Sequence, residues 1–331
     1  MKKTKLVDHL AGIGFCFLLA VPAYFAGEQW PLVGGPIFGI LFGMALAFWR
    51  RPGGFDQGIA FTGKKILQYA IVFLGFQMNL FVVFQVGAQS LLVMVFTLAA
   101  AFLTAFFVGK ALKLKGNVAT LIGVGTAICG GSAIAATAPV VQASDEEMTY
   151  SISTIFLFNI AAVFLFPFLG RLMGMGDLAF GMWAGTAVND TSSVVAAGFA
   201  YSDAAGSFAT IVKLTRTLMI IPVTVVLALY MGKKGKGADY EYHIRKIFPW
   251  FVLGFLATSI MTTTGILGAS LPIYLGEMGK FMIVMAMAAI GLNTNIRKLL
   301  GNGLRPILLG LSCWFAVAVI SLVVQKFLGI W

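Results

Sequence analysis

Long apolar stretches, each cut off by a short polar or basic segment, follow one another along the chain. Eleven can be marked, at about 10–26, 32–49, 64–84, 88–109, 118–143, 149–170, 178–200, 204–231, 247–265, 272–296 and 304–328. Each holds roughly 17 to 28 residues, enough for an α-helix to cross a ~30 Å hydrocarbon core. The pattern predicts an all-α polytopic membrane protein with about 11 transmembrane segments, built as a single membrane domain over residues 1–331. The first stretch follows Met1-Lys-Lys-Thr-Lys5 and imitates a signal peptide, with small residues near Ala26. More apolar segments follow at once, so an uncleaved first helix is expected.

Two of the eleven are interrupted where the middle of a membrane helix should lie. Gly125-Thr-Ala-Ile-Cys129-Gly130-Gly131-Ser132-Ala-Ile-Ala-Ala136 recurs sixty positions later as Gly185-Thr-Ala-Val-Asn189-Asp190-Thr191-Ser192-Ser-Val-Val-Ala196. Hydrocarbon cannot satisfy free backbone groups, so unwound chain at that depth must be packed in protein or line a cavity. A matched pair of such breaks points to a transporter whose binding site lies where they meet, with core elements near 118–143 and 178–200. A second similarity runs at an offset of 216. Gly63-Lys64 through Ala70, Leu74-Gly75 and Asn79-Leu80 match Gly279-Lys280 through Ala286, Ile290-Gly291 and Asn295-Ile296. An odd number of crossings separates these copies, so they should lie antiparallel, as in inverted repeats.

Composition agrees. The 331 residues are 60% hydrophobic and 11% charged, far from the balance of a soluble domain. The net charge of +11 falls mostly between apolar segments, which fits topology control and anionic lipid and not nucleic acid. Basic residues collect on one side: Lys2, Lys3, Lys5, Arg50, Arg51, Lys64, Lys65, Lys110, Lys113, Lys115, Arg171, the cluster Lys233 to Lys246, and Arg297, Lys298 and Arg305. That side is expected to be the cytoplasm, with the N-terminus inside and the C-terminus outside. The breaks fit either bent spanning helices or re-entrant hairpins. Arg171 inside with Asp145-Glu-Glu147 outside favours spanning helices.

Cys16, Cys129 and Cys313 lie in apolar stretches without metal or disulfide spacing, and His9 and His243 sit in charged segments. No catalytic residues, metal site or cofactor motif can be assigned, so an intramembrane enzyme or accessory subunit is the disfavoured reading.

Lys326 can snorkel to the interface. Lys213 and Arg216 cannot. They lie roughly 14 and 18 Å into segment eight and share a helix face. A cation at that depth must be paired or face water. Lys280, with Asn293 and Asn295, is a candidate for the pathway. The one deep acid is Asp190, whose pairing with Lys213 or Arg216 is the structural alternative. The functional reading is an anion site. Lys213 and Arg216 bind the anion together with Cys129, Gly130, Gly131, Ser132, Asn189, Thr191 and Ser192 at the starts of the second half-helices. Asp190 carries a coupling proton or sodium ion.

The run Leu121 to Pro139, containing Cys129-Gly-Gly-Ser132-Ala-Ile, followed by Asn189-Asp190-Thr191 and Lys213-Leu-Thr-Arg216, resembles the YeiH-like sulfate exporter family of UPF0324-type bacterial inner-membrane proteins. The resemblance covers nearly the whole chain. It implies distant relation to the cation/proton antiporters and bile-acid symporters, with inverted repeats, broken helices near the midplane and a core moving against a scaffold. A homodimer is implied at the same level. Histidine often precedes the aspartate in this family, where the present chain has Asn189. The leading expectation is therefore a secondary transporter exporting sulfate or a related small anion, in contact with membrane lipid. A cation/proton antiporter using Asp190 is the rival.

Overall fold

The computed structural model describes residues 2–49, 54–114, 116–233, 249–268, 270–294 and 303–331. All elements among them are helical. In chain order they are α1 (Lys2–Gln29), α2 (Gly35–Leu46) and α3 (Phe55–Phe61), which continues through a π turn (Thr62–Ile66) into α4 (Leu67–Leu74) and a 3-10 turn (Gly75–Gln77). Then come α5 (Leu80–Ala111), α6 (Val118–Ala127), α7 (Gly131–Thr137), α8 (Asp145–Leu172), α9 (Asp177–Ala187) and α10 (Thr191–Tyr201). The rest are α11 (Asp203–Leu218), α12 (Ile220–Lys233), α13 (Trp250–Thr263), α14 (Leu271–Asn293) and α15 (Leu304–Phe327).

Local chemistry sets several boundaries. The apolar run 64–84 does not continue past residue 77, because Asn79 turns extended and its side chain caps α5 by accepting the Phe81 N–H at 2.8 Å. Ser144 and Glu147 form a reciprocal capping box at the start of α8. The long eighth segment breaks at Met219, between α11 and α12. Pro222 lacks the N–H that would bond the carbonyl four residues back, so the interruption falls just before it.

The bundle has two ends, and the chain's side-chain bonds show which segments reach each. Asn117, before α6, donates to the Val141 carbonyl at 3.1 Å, and its backbone N–H donates to Glu147 at 2.8 Å. Segment 118–141 therefore enters and leaves at the same end, the one carrying Lys110. At the other end, Arg171 donates to the carbonyls of Leu32 (2.8 Å) and Ala200 (2.7 Å), and Ser202 donates to Asp177 at 2.5 Å. Segment 177–201 also returns to its starting end. Both interrupted segments are re-entrant hairpins inserted from opposite ends.

This corrects the topology that charge alone favours. α8 runs opposite to the direction expected, with Asp145-Glu-Glu147 at the Lys110 end and Arg171 at the Asp203 end. The reason is that Arg171 is not a free topological charge. Its guanidinium closes the end of the second hairpin by holding three carbonyls from two segments, Leu32 before α2 and Ala200 and Tyr201 at the end of α10.

Seven helical runs are long and apolar enough to cross a membrane: α1, α3–α4, α5, α8, α11–α12, α14 and α15. The shorter α2 and α13 connect the same two ends. Among the described residues, the eleven stretches thus become these seven runs, the two shorter apolar helices α2 and α13, and two hairpins. The hairpin arms α6, α9 and α10 have 10, 11 and 11 residues. At 1.5 Å per residue each is about 15 Å long, half of a ~30 Å core, so opposed tips meet halfway.

The repeat at offset 216 packs against itself. A Cβ built on Gly63 would lie 3.6 Å from Ile290 and 3.7 Å from Ala289. One built on Gly279 would lie 3.0 Å from Phe73 and 3.3 Å from Leu74, the residues that correspond to Ala289 and Ile290. Such reciprocal contacts are what an antiparallel two-fold pair produces. Helices α1–α4, α13 and α14 form one body, a scaffold; α5–α12 and α15 form a second, the core. The two touch mainly where α10 meets α2 and α14, and where α13 meets α5.

Candidate functional site

Where α6 stops at Ala127 and α9 at Ala187, the last carbonyls of each arm lose their intrahelical partners at mid-depth. Two cations on α11 take their place. Lys213 Nζ donates to the carbonyls of Ile128 (2.8 Å), Val188 (3.1 Å) and Asn189. Arg216 Nε donates to Ala127 at 2.7 Å, and its terminal nitrogens donate to Val188 (3.3 Å) and Thr126. Both side chains are completely buried. Each therefore bridges the tips of both hairpins, at helix C-termini whose dipoles favour positive charge. α11 comes this close to α9 because Gly185 lies on Val212, where a Cβ would sit 2.6 Å from the valine Cβ.

The opposite chemistry holds at the start of α10. Asp190 is its N-cap, accepting the Ser192 N–H at 3.0 Å and the Ser192 hydroxyl. A carboxylate there faces the positive helix end. The Asp190 N–H in turn donates to Asn159 Oδ1 of α8 at 3.1 Å. No ion pair joins Asp190 to either cation among the described residues. The tips touch at Gly130, where an added Cβ would lie 3.5 Å from that of Asp190. Gly130 has φ +67°, a conformation that glycine adopts without strain. α7 begins directly after it with no side-chain cap.

The structure brings together Cys129, Gly130, Gly131, Ser132, Asn189, Asp190, Thr191, Ser192, Lys213 and Arg216. They differ in access. Cys129, Asn189, Ser192, Lys213 and Arg216 are buried; Asp190 and Thr191 are half-buried, and Ser132 is exposed. Asn189 is 1% exposed, yet neither atom of its side-chain amide has a hydrogen-bond partner, and the Thr126 hydroxyl is likewise unmatched. Buried polar groups are rarely left so without a ligand or water to meet them.

Lys280 lies elsewhere. It bonds Asp203 at 2.7 Å and Glu277 at 2.9 Å at one end of the bundle, so it is neither deep nor near the tips. Asn293 ends α14, away from the tips, and Asn295 lies outside the described residues. The polar chain Thr186–Ser321–Gln325 is an addition. The Thr186 and Ser321 hydroxyls are 2.7 Å apart, and Gln325 donates to Ser321 at 3.2 Å. Its trace in the sequence is a serine and a glutamine four apart on one face of an otherwise apolar helix. Among the described residues, no cluster of His, Cys, Asp or Glu could hold a metal ion.

Residues 11–310 match the family model described as Conserved hypothetical protein 698. The chain is 50% identical to a UPF0324 membrane protein of Streptococcus mutans, covering 98% of each chain. It is 51% identical to one of Streptococcus pyogenes, over 97% of this chain and 98% of the relative. A UPF0324 membrane protein of Fusobacterium nucleatum is 45% identical, over 98% and 99%.

Proposed function

We propose a function from the premise that this chain belongs to the UPF0324 family of membrane proteins, which it matches over nearly its full length. It is a secondary transporter that moves a small anion by alternating access, sulfate or a related sulfur oxyanion being the first candidate. The observation carrying this reading is the meeting of two opposed re-entrant hairpins at mid-depth, with buried cations bridging both tips. Unwound backbone is tolerated there only in a protein-lined site.

The sign of the substrate follows from the charges. Taking each helix end as about half a unit charge, the C-termini of α6 and α9 contribute about −1 and the N-termini of α7 and α10 about +1. Lys213 and Arg216 add two positive charges and Asp190 one negative. The crossing is left with about one uncompensated positive charge, which favours an anion.

The reading also assigns the parts. Ser132, Thr191 and the N–H groups that open α7 beside Gly130 and Gly131 meet the anion on the accessible side, and the Asn189 amide meets it from within. Cys129 and Ser192 complete the wall. Lys213 and Arg216 stand behind the tips. All three Lys213 donors are engaged with carbonyls, so in this reading that cation acts chiefly through its field. Asp190 carries the coupling proton. In this reading the Lys110 end faces the cytoplasm of a bacterial inner membrane, since the described basic residues Lys64, Lys65, Lys110, Lys113 and Arg305 lie there.

The test is a thermal-shift screen of purified protein against sulfate, sulfite, thiosulfate, bicarbonate and chloride, followed by flux in proteoliposomes. A substrate bound by the folded state raises its stability by mass action. Absence of both a shift and a flux for every anion refutes the reading. The acidic residues Glu28, Asp203 and Glu277 beside the cavity at the Asp203 end favour a second reading, cation/proton exchange through Asp190. Sodium- or potassium-driven proton movement without any anion would establish it.

A further inference from the structure

The end of the bundle that carries Asp203 holds a cavity of about 440 Å³ lying on the seam between the two bodies. Tyr24, Glu28 and Val284 line it from the scaffold; Phe199, Tyr201 and Ser202 line it from the core. One ion pair spans the seam beside it. Lys280, on scaffold helix α14, reaches Asp203 at the start of core helix α11 at 2.7 Å. It is held ready for that reach by its own helix, because Glu277 one turn earlier bonds the same ammonium at 2.9 Å. Gln77, from the scaffold, approaches Glu277 at 3.5 Å.

We infer that the Lys280–Asp203 pair is a latch between scaffold and core, made in the conformation described here and broken when the core moves. The inference rests on the alternating-access reading and adds a specific contact to it. Three features suit the pair to that work. It joins two bodies whose other main contacts are confined to α10 against α2 and α14 and to α13 against α5. The Asp203 side chain is 71% exposed and that of Lys280 18%, so solvent can take over the carboxylate as it leaves. Glu277 stays with the lysine on α14, so breaking the latch does not strand an unpaired ammonium. Arg171 makes a second seam contact nearby, from core helix α8 to the Leu32 carbonyl. That bond is to backbone and survives neutralisation of Asp203.

The experiment uses the full chain in proteoliposomes. Val284→Cys places a thiol in the seam cavity, and its labelling by a membrane-impermeant maleimide reports how long the seam is open. Asp203→Asn and Lys280→Met should each raise the labelling rate by about two- to fivefold, the range expected when a partly exposed ion pair is lost. The charge swap Asp203→Lys with Lys280→Asp should restore the parental rate, because the new lysine again meets two carboxylates. Joining Asp203→Cys to Lys280→Cys with a short bifunctional maleimide should stop flux while leaving any anion-induced thermal shift intact. Unchanged labelling in both single variants, or full flux in the cross-linked protein, overturns the latch. Failure of every anion to bind or move, with labelling still altered and restored by the swap, would overturn the transport reading alone.

Discussion

Lys213 and Arg216 serve either as caps for the two hairpins or as direct ligands of the anion, and a stability measurement separates the two. In Lys213→Met the carbonyls of Ile128 and Asn189 lose their side-chain donor, whereas Val188 keeps the Arg216 guanidinium at 3.3 Å. In Arg216→Met the carbonyls of Ala127 and Thr126 are left in the same state. A buried polar group deprived of its partner costs about 1–3 kcal/mol, so each substitution exposes about 2–6 kcal/mol of penalty. Removing a buried charge returns part of this, since its desolvation cost disappears as well. A net loss of about 3 kcal/mol is expected, a large share of the 5–15 kcal/mol typical of a folded protein.

At roughly 2 °C per kcal/mol for a chain of this size, the melting temperature of detergent-purified protein should fall by about 6 °C in either variant. Lys280→Met, which breaks a partly exposed pair, is the control and should move it by less than about 2 °C. Melting points of Lys213→Met and Arg216→Met within that control range would refute capping. A variant as stable as the parent that has lost anion binding would establish direct ligation in its place.

Asp190→Asn keeps a residue competent to cap α10 and should fold normally, with anion flux in proteoliposomes that no longer varies with pH. Gly130→Ala forces a side chain into a left-handed conformation 3.5 Å from the Asp190 Cβ. It should lower stability by about 1 kcal/mol or more, read by denaturation in detergent, and reduce flux by more than that loss accounts for. The hairpin topology predicts that Arg171→Cys is labelled in spheroplasts from the same side as Leu32→Cys, and Asp145→Cys from the side of Lys110→Cys. Labelling of positions 145 and 171 from the reverse sides would restore spanning helices.

What could be read from the sequence was what depends on composition and spacing. The apolar runs gave the helices, and the recurrence of Gly125–Ala136 at Gly185–Ala196 located both tips. The Gly63 and Gly279 copies gave an antiparallel pair that the structure packs face to face. Direction through the membrane was not legible at α8, since a single arginine there reports topology only if it is free. Arg171 is bound to three carbonyls. Nor could sequence show whom Lys213 and Arg216 address. Their depth was evident from position, but the acceptors are main-chain carbonyls, which every residue carries and no side-chain pattern marks. The seam at Lys280 was hidden for a related reason. Its partner Asp203 is 77 residues away and opens a different helix.

The arrangement of charge at the crossing bears on the direction of transport. With Asp190 ionised the crossing holds about one net positive charge by the helix-end accounting; with Asp190 protonated it holds about two. The neutral carboxyl also loosens its hold on the Ser192 N–H, freeing a donor at the start of α10. Both changes favour the anion, so it binds more tightly to the protonated form, and linkage makes the preference mutual. Two ligands that promote each other's binding at one site cross together. Under the proposed anion-transport reading, this preference favours proton–anion symport, in which an inward proton gradient drives uptake and export requires an outward anion gradient larger than the proton force. Proton–anion antiport would need protonation of Asp190 to weaken the anion's binding, the reverse of what these charges favour.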